Sequence, residues 1–231
     1  MAMEEGQVDL LVHSMKDMPS IRPNKYLIAA MLPRGDARDC LLTNVPGVAR
    51  IEDLPQGAII GTSSPRRAAI AKRKRPDFQT ITFRGNVPTR LEKLQNGFEG
   101  VSATFLARIG LERLGFGDVP QTPLPVDEFL PAAGQAAIGV EIMADNRLLA
   151  GILATINHAP TFRCVTAERA CLAVVDGDCK TSIAAYAVEK DGVVNLKAEI
   201  YSEDGSEVKT AASAAPAAEA VALGARVGES L

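Results

Sequence analysis

The sequence predicts an α/β protein of two lobes joined by a two-strand hinge, plus a small C-terminal α+β domain with a three-stranded antiparallel sheet. Three observations predict this. Short apolar runs alternate with helix-length segments from residue 8 to about residue 156, the pattern of strands connected through helices. Two stretches, PRGDARD at 33–39 and FLPAAGQAAIG at 129–139, interrupt the alternation and read as crossings between lobes. Beyond residue 180, three strand-like runs (182–189, 193–202, 207–212) are joined by Asp191-Gly192 and Asp204-Gly205, the dipeptides of two-residue hairpins. The implied division is 1–34 with 136–157 as the first lobe, 35–135 as the second, and 158–231 as the third unit.

Composition narrows the function. At 231 residues, 47% apolar and 23% charged, the chain suits a globular protein with a real core. No apolar run approaches the ~20 residues of a membrane span, and MAMEEGQ lacks the basic and apolar regions of a signal peptide. The expected setting is therefore the cytoplasm, with no membrane partner. Cys40, Cys164, Cys171 and Cys179 form no CxxC pair and no zinc-like cluster with His13 or His158, so reduced thiols and no metal are expected. A net charge of -3 argues against a general nucleic-acid binder, yet residues 61–90 hold eight Lys/Arg and one acid, Asp77. With 4% aromatics and no Trp to stack on bases, that concentrated charge suits a compact anionic ligand better than nucleic acid.

The elements follow in order. VDLLVH (8–13) is continuously apolar and reads as a parallel strand buried on both faces, stopped at SMKDMPS by Pro19 and Ser20. Its carboxyl end would carry His13, Ser14, Lys16 and Asp17 to a ligand edge. Taken alone, Lys16 and Asp17 also fit a solvated loop pair, and His13 a hydrogen-bonded structural histidine. Residues 26–32 are a second strand; 41–43 and 58–61 are strand-like. GTSSPRR (61–67) then places Ser64 as a helix N-cap and Pro65 at the first helical position. Hydroxyls, free N–H groups and the positive helix end would face one point, with the forks of Arg66 and Arg67 beside them. An ordinary capped helix with solvated arginines has the same sequence signature.

That helix runs to Arg75 before Pro76, and its last four residues, 72–75, read as a solvated cationic end. A strand at 79–84 passes through Gly85 and Asn86 into a helix ending near Gly97. Two strand-to-helix junctions of one parallel sheet would then direct Arg66, Arg67, Arg84 and Arg90 to the same edge. A strand at 101–106, a helix at 107–114, a strand at 138–143 after Gln135, and helices at 148–156 and 160–174 complete the alternating part. An Ala-rich helix at 216–228 closes the third unit.

Five motifs, VHSMKDMP, GTSSPRR, FRGNVPTRL, LPAAGQAAIGVE and TAERACLAVVDGDC, occur in this order along most of the chain. Together they resemble the porphobilinogen deaminase (hydroxymethylbilane synthase) family. The resemblance implies periplasmic-binding-protein-like lobes and a cytoplasmic monomer. It implies a transferase that condenses four porphobilinogen units, with release of ammonia, into hydroxymethylbilane for tetrapyrrole synthesis. It also implies a dipyrromethane cofactor on Cys179, Asp17 as the catalytic carboxylate and Lys16 as an anion ligand beside it. Ser14, Thr62, Ser63, Ser64, Arg66, Arg67, Arg84 and Gly85 are implied as cofactor contacts, and Arg90, Arg113 and Gln135 as substrate contacts. The family's segment before VDLLVH has no counterpart here, so the first lobe is expected to be incomplete, Met1 not to be the natural start, and the last helix to stop early. DGDCKTS stands where a Gly-Gly-Cys is usual, placing Asp178 beside the cofactor position. Two other readings share the architecture: a non-catalytic bilobal module for a dicarboxylate, and a truncated, inactive homologue.

Overall fold

In the computed structural model, which describes residues 2–175 and 182–231, the chain opens with β1 (Leu10–Ser14), a 3-10 turn at Met15–Asp17, and β2 (Tyr26–Met31). The first crossing leads into β3 (Asp39–Thr43), then β4 (Ile59–Gly61), helix α1 (Pro65–Lys74) and β5 (Gln79–Ile81). Helix α2 (Val87–Gln95), β6 (Val101–Ala107), α3 (Arg108–Arg113) and the short β7 (Thr122–Pro123) follow. The second crossing enters β8 (Ile138–Met143), α4 (Arg147–Leu153) and the long α5 (Ala159–Val175). Strands β9 (Ser182–Lys190), β10 (Val193–Tyr201) and β11 (Val208–Pro216) precede α6 (Ala220–Glu229).

Pairing departs from the expected parallel sheets in two places. In the first lobe, β8 returns from the second crossing and lies between β1 and β2, antiparallel to both. Strand β1 is therefore an edge with one neighbour, and Val12 is 62% exposed rather than buried on both faces. In the second lobe the order is β5-β4-β6-β3-β7. The β4–β5 and β4–β6 pairs are parallel, as helical crossovers require, whereas β3 runs antiparallel to both β6 and β7. Phe105, Phe129, Ile60 and Leu41 are buried in this lobe's core.

The third sheet, β11-β10-β9, is antiparallel throughout. Asp191 (φ 52°) and Gly192 (φ 75°) form the expected tight turn. Asp204-Gly205 does not. Six residues separate β10 from β11, because the Asp204 carboxylate accepts hydrogen bonds from the Ser202 hydroxyl (2.6 Å) and from the Ser206 amide (3.0 Å) and hydroxyl (2.8 Å), which draws out a wider loop. The closing helix also starts later than its composition suggests, since Pro216 still pairs with Val193 in the sheet. Helix α6 then packs tightly on α5. A Cβ at Gly224 would sit 2.2 Å from the Ala167 carbonyl oxygen, and one at Gly228 2.9 Å from that of Cys171.

The two crossings run side by side. Leu32 N–H donates to the Ile138 carbonyl (3.0 Å), Gly35 N–H to Ala136 (3.2 Å), and the Gln135 side-chain amide to Ala37 (2.7 Å). The charges of PRGDARD are spent inside this strap. Arg34 pairs with fully buried Glu168 of α5 (2.6 Å), Arg38 with Asp36 (2.6 Å), and Asp39 with α1. Glu168 also accepts from the backbone N–H groups of Gly134 and Ala187 (both 2.7 Å), so α5 joins both crossings to β9.

Candidate functional site

The site begins with two helix starts. Ser64 caps α1, accepting the Arg67 N–H at 3.4 Å, and Asn86 caps α2, accepting the Thr89 N–H at 3.0 Å. Because β4 and β5 are parallel neighbours, both junctions lie at one sheet edge. The Ser63 hydroxyl accepts the Phe83 N–H (3.0 Å), and Thr62 N–H reaches the Ile81 carbonyl (3.0 Å), which ties the two junctions together.

Facing this edge is the turn that carries Lys16 and Asp17. A cleft of about 280 Å³ is lined by both of them together with Ser63, Ser64, Arg66, Arg67, Arg90, Ala132 and Gln135. The expected site residues that converge are therefore Asp17, Lys16, Ser63, Ser64, Arg66, Arg67, Arg90 and Gln135. Thr62 is buried just behind and lines a smaller hollow of about 210 Å³ that shares Ser63 and Ser64. Gly85 takes part through its carbonyl, which accepts the Arg90 Nε–H at 2.8 Å and steadies that arginine. Ser14, Arg84 and Arg113 are exposed and are not among the lining residues. Cys179 lies outside the described residues.

The arginines of GTSSPRR are not solvated. Arg66 and Arg67 are buried and share one carboxylate, that of Asp39, which has no solvent exposure. Arg66 donates Nη2 to Asp39 (2.7 Å) and Nη1 to the Leu130 carbonyl (2.7 Å), while its Nε is buried without a partner among the described residues. Arg67 gives Nε and Nη2 to the other Asp39 oxygen (3.2 and 2.6 Å). Gln135 adds a third donor to that oxygen (3.1 Å). Burial alone would raise the Asp39 carboxyl, but the two guanidinium groups overcome this and hold it at about 2. Asp39 is the residue that sequence reasoning missed. Its signal was a lone acid opening an apolar strand, DCLLT, directly after a crossing.

Crowding of positive charge is visible at the cleft. Lys16 is exposed overall and Arg90 half-buried, yet the neighbouring walls of the cleft strip water from both ammonium and guanidinium, and this partial desolvation, then the charge of Arg67, pushes each below its ordinary value. Such a site favours an anion with more than one charge. His13 is structural, as expected: its Nε2 meets the buried Glu141 carboxylate at 3.0 Å, which Arg22 also grips with two nitrogens. The run 72–75 is a solvated end only in part: Arg73 is exposed, whereas the two residues after it are tied down. Lys74 bonds Glu128 (2.9 Å), and Arg75 pairs with Asp77 (2.7 Å) and reaches the carbonyls of Glu52, Leu54 and Pro55.

Gly134 sets the distance between the second crossing and the Lys16–Asp17 turn. Its φ is +71°, and a Cβ there would lie 2.9 Å from the Met15 carbonyl carbon and 3.0 Å from the Lys16 nitrogen, both backbone atoms that cannot swing away. Gly134→Ala is expected to cost about 2–4 kcal/mol from overpacking and the left-handed backbone together. Thermal unfolding checks this, and an unchanged midpoint would mean that the two segments do not touch.

A family model described as porphobilinogen deaminase, dipyromethane cofactor binding domain, matches residues 1–150, and one described as porphobilinogen deaminase, C-terminal domain, matches residues 162–231. The porphobilinogen deaminase of Sphingopyxis alaskensis is 50% identical over 209 residues, covering 89% of this chain and 65% of its own length. That of Paracoccus denitrificans is 46% identical over 225 residues, covering 97% and 71%. That of Chromobacterium violaceum is 41% identical over 230 residues, covering 100% and 73%. The chain thus spans about two thirds of the length of these relatives. Among solved structures, the periplasmic aliphatic sulphonate binding protein of Escherichia coli aligns with a TM-score of 0.41 and 15% identity over 74% of this chain and 58% of its own.

Proposed function

Because the chain belongs to the porphobilinogen deaminase family, we propose that it condenses four porphobilinogen units head to tail, releasing one ammonia per unit and taking up one water for the terminal hydroxyl, to give hydroxymethylbilane. The observation that carries this reading is the cleft in which Asp17 and Lys16 lie across from Arg67, Arg90, Ser63 and Ser64. Each porphobilinogen ring brings two carboxylates, and a growing chain gathers negative charge that such a wall can hold.

The residues present fit a dipyrromethane cofactor. The unpartnered buried Nε of Arg66, the lowered ammonium of Lys16 and the hydroxyls of Ser63 and Ser64 are donors waiting for acceptor oxygens. Bound through Cys179, the cofactor would supply the nucleophilic pyrrole carbon on which the product is built. Lys16, Arg67 and Arg90 would hold ring carboxylates, with Thr62 backing the hydroxyl wall. Asp17 would give a proton to the leaving amine of porphobilinogen, face the cation left behind, and take up the proton lost from the pyrrole carbon. Positioned proton transfer of this kind is worth ~10²- to 10⁴-fold. Arg84, Ser14 and Arg113 remain assigned as contacts by the family motifs alone.

Cys179 as the attachment point is supported by the state of the other thiols. Cys40, Cys164 and Cys171 are buried. Burial pushes them to about 12, 11 and 11, which leaves almost no thiolate at neutral pH. Intact mass of the purified chain is expected to carry an adduct of dipyrromethane size, and peptide mapping to place it on Cys179. An unmodified mass would favour the non-catalytic bilobal module or an inactive homologue. An adduct on Cys40, Cys164 or Cys171 would overturn the attachment site. The reading extends to a cytoplasmic monomer that binds neither membrane nor nucleic acid. The net charge of -3 supports the part of it that concerns nucleic acid, and no helix among the described residues is long and apolar enough to cross a membrane.

A further inference from the structure

Asp17 sits in a turn that has little to hold it from within. Met15–Asp17 is a single 3-10 turn whose cap residue, Ser14, gives no side-chain hydrogen bond, and its own closing bond, Met18 N–H to the Met15 carbonyl, is 3.4 Å long. Helix α5 supplies the missing support. Met15 and Met18 are buried in a cluster with Val165 and partly buried Phe162, both from α5. Lys16 and Asp17 lie between these two methionines and face the cleft.

The same helix grips the backbone that follows. Arg169 donates Nη1 to the Met18 carbonyl (3.3 Å) and Nη2 to those of Pro19 (2.5 Å) and Ser20 (3.2 Å). Three successive carbonyls thus converge on one guanidinium. Among the described residues Arg169 forms no ion pair at 4.0 Å or less, so these carbonyls replace the water it has lost. On the other side of the turn, the neighbouring Glu168 accepts the Gly134 N–H, and Gly134 lies against the Met15–Lys16 backbone.

We propose that Arg169 is a positioning residue for Asp17, fixing the Met18–Ser20 backbone so that the carboxylate keeps its place opposite Arg67 and Arg90. This rests on the assignment of Asp17 to proton transfer. Arg169 is not among the residues lining the cleft, so it acts through the turn and not on the ligand. A carboxylate displaced by about 1 Å loses on the order of 10²-fold in rate while the anion-binding wall stays intact. The effect therefore belongs in kcat.

The experiment compares the parent with Arg169→Gln and Arg169→Lys, following porphobilinogen consumption, adduct mass and amide hydrogen exchange. Arg169→Gln is expected to lower kcat by about 10- to 100-fold with KM within about 3-fold of the parent. The adduct mass should stay unchanged, and exchange should rise at residues 15–22 but not in β9–β11. Arg169→Lys keeps the charge but cannot span three carbonyls, so it should recover part of the rate. Parental kcat in Arg169→Gln would overturn the proposal. So would a kcat loss accompanied by raised exchange across the whole molecule, which is the mark of a merely structural role. If the parent itself consumes no porphobilinogen, the proposed function fails, and exchange decides alone. A rise confined to residues 15–22 supports the positioning role, and its absence overturns it.

Discussion

Asp17→Asn is expected to fold, to bind anionic pyrroles at least as tightly as the parent, and to release no ammonia. The substitution keeps the side-chain shape at the cleft wall and removes the proton transfer proposed for that group. Asp17 makes no ion pair with Lys16 at 4.0 Å or less, so the solvated loop pair that the sequence also allowed is not what the turn is built around. Instead the two side chains line a cleft whose opposite wall carries Arg67 and Arg90. Removing a negative charge from such a wall does not weaken carboxylate binding, so affinity and turnover should separate. Asp17→Glu keeps the proton chemistry but moves it by one methylene, and should retain weak turnover, on the order of 10²-fold below the parent. Ammonia release measured beside binding of a dicarboxylate pyrrole checks both. Parental turnover in Asp17→Asn would pass the proton transfer to another group.

The second large effect is on stability. Asp39→Asn leaves two buried guanidinium groups with no counter-ion, and breaking a buried pair in this way costs about 3–5 kcal/mol. For a chain of this size the unfolding midpoint should fall on the order of 10 °C, with cofactor loading lost alongside. The same carboxylate predicts an acid limit. Its value is lowered on folding, from 3.8 to about 2, so its contribution is fully present above its unfolded value and disappears as pH falls from about 4 to about 2. The contribution is roughly 2–3 kcal/mol, from the size of the shift. Urea unfolding at pH 6 and pH 3 should show the parent losing stability over this interval and Asp39→Asn losing less of it. Equal losses would place the acid sensitivity elsewhere.

What could be read from the sequence was local. Ser64-Pro65 and Asn86-Pro88 start helices because a side-chain oxygen and a pre-set φ act within three residues, and Asp191-Gly192 turns because its backbone angles are its own. The opposed lysine, aspartate and arginines were legible because each stands at the end of a strand or the start of a helix. What could not be read depends on partners far along the chain. β8 pairs with β1 across more than a hundred residues, and nothing in VDLLVH says that its neighbour runs the other way. Asp39 looked like one more charge in PRGDARD, because only the packing of α1 decides that it meets guanidinium groups and not water. Arg84 and Arg90 share a junction and differ in outcome: Arg90, one helical turn on, is steadied by the Gly85 carbonyl and reaches the cleft, whereas Arg84 is exposed.

The close seating of α6 on α5 gives the codons for α6 a weight that their distance from the cleft conceals. Gly224 and Gly228 let the two helix backbones touch, with Leu223 and Val227 filling the space over Ala167 and Cys171. Residues 168 and 169, on that same helix, hold the second crossing and the Lys16–Asp17 turn. A frameshift or stop codon just ahead of α6 would uncover the back of α5 and slacken the floor beneath Asp17. It would read as a defect in chemistry although no cleft residue had changed.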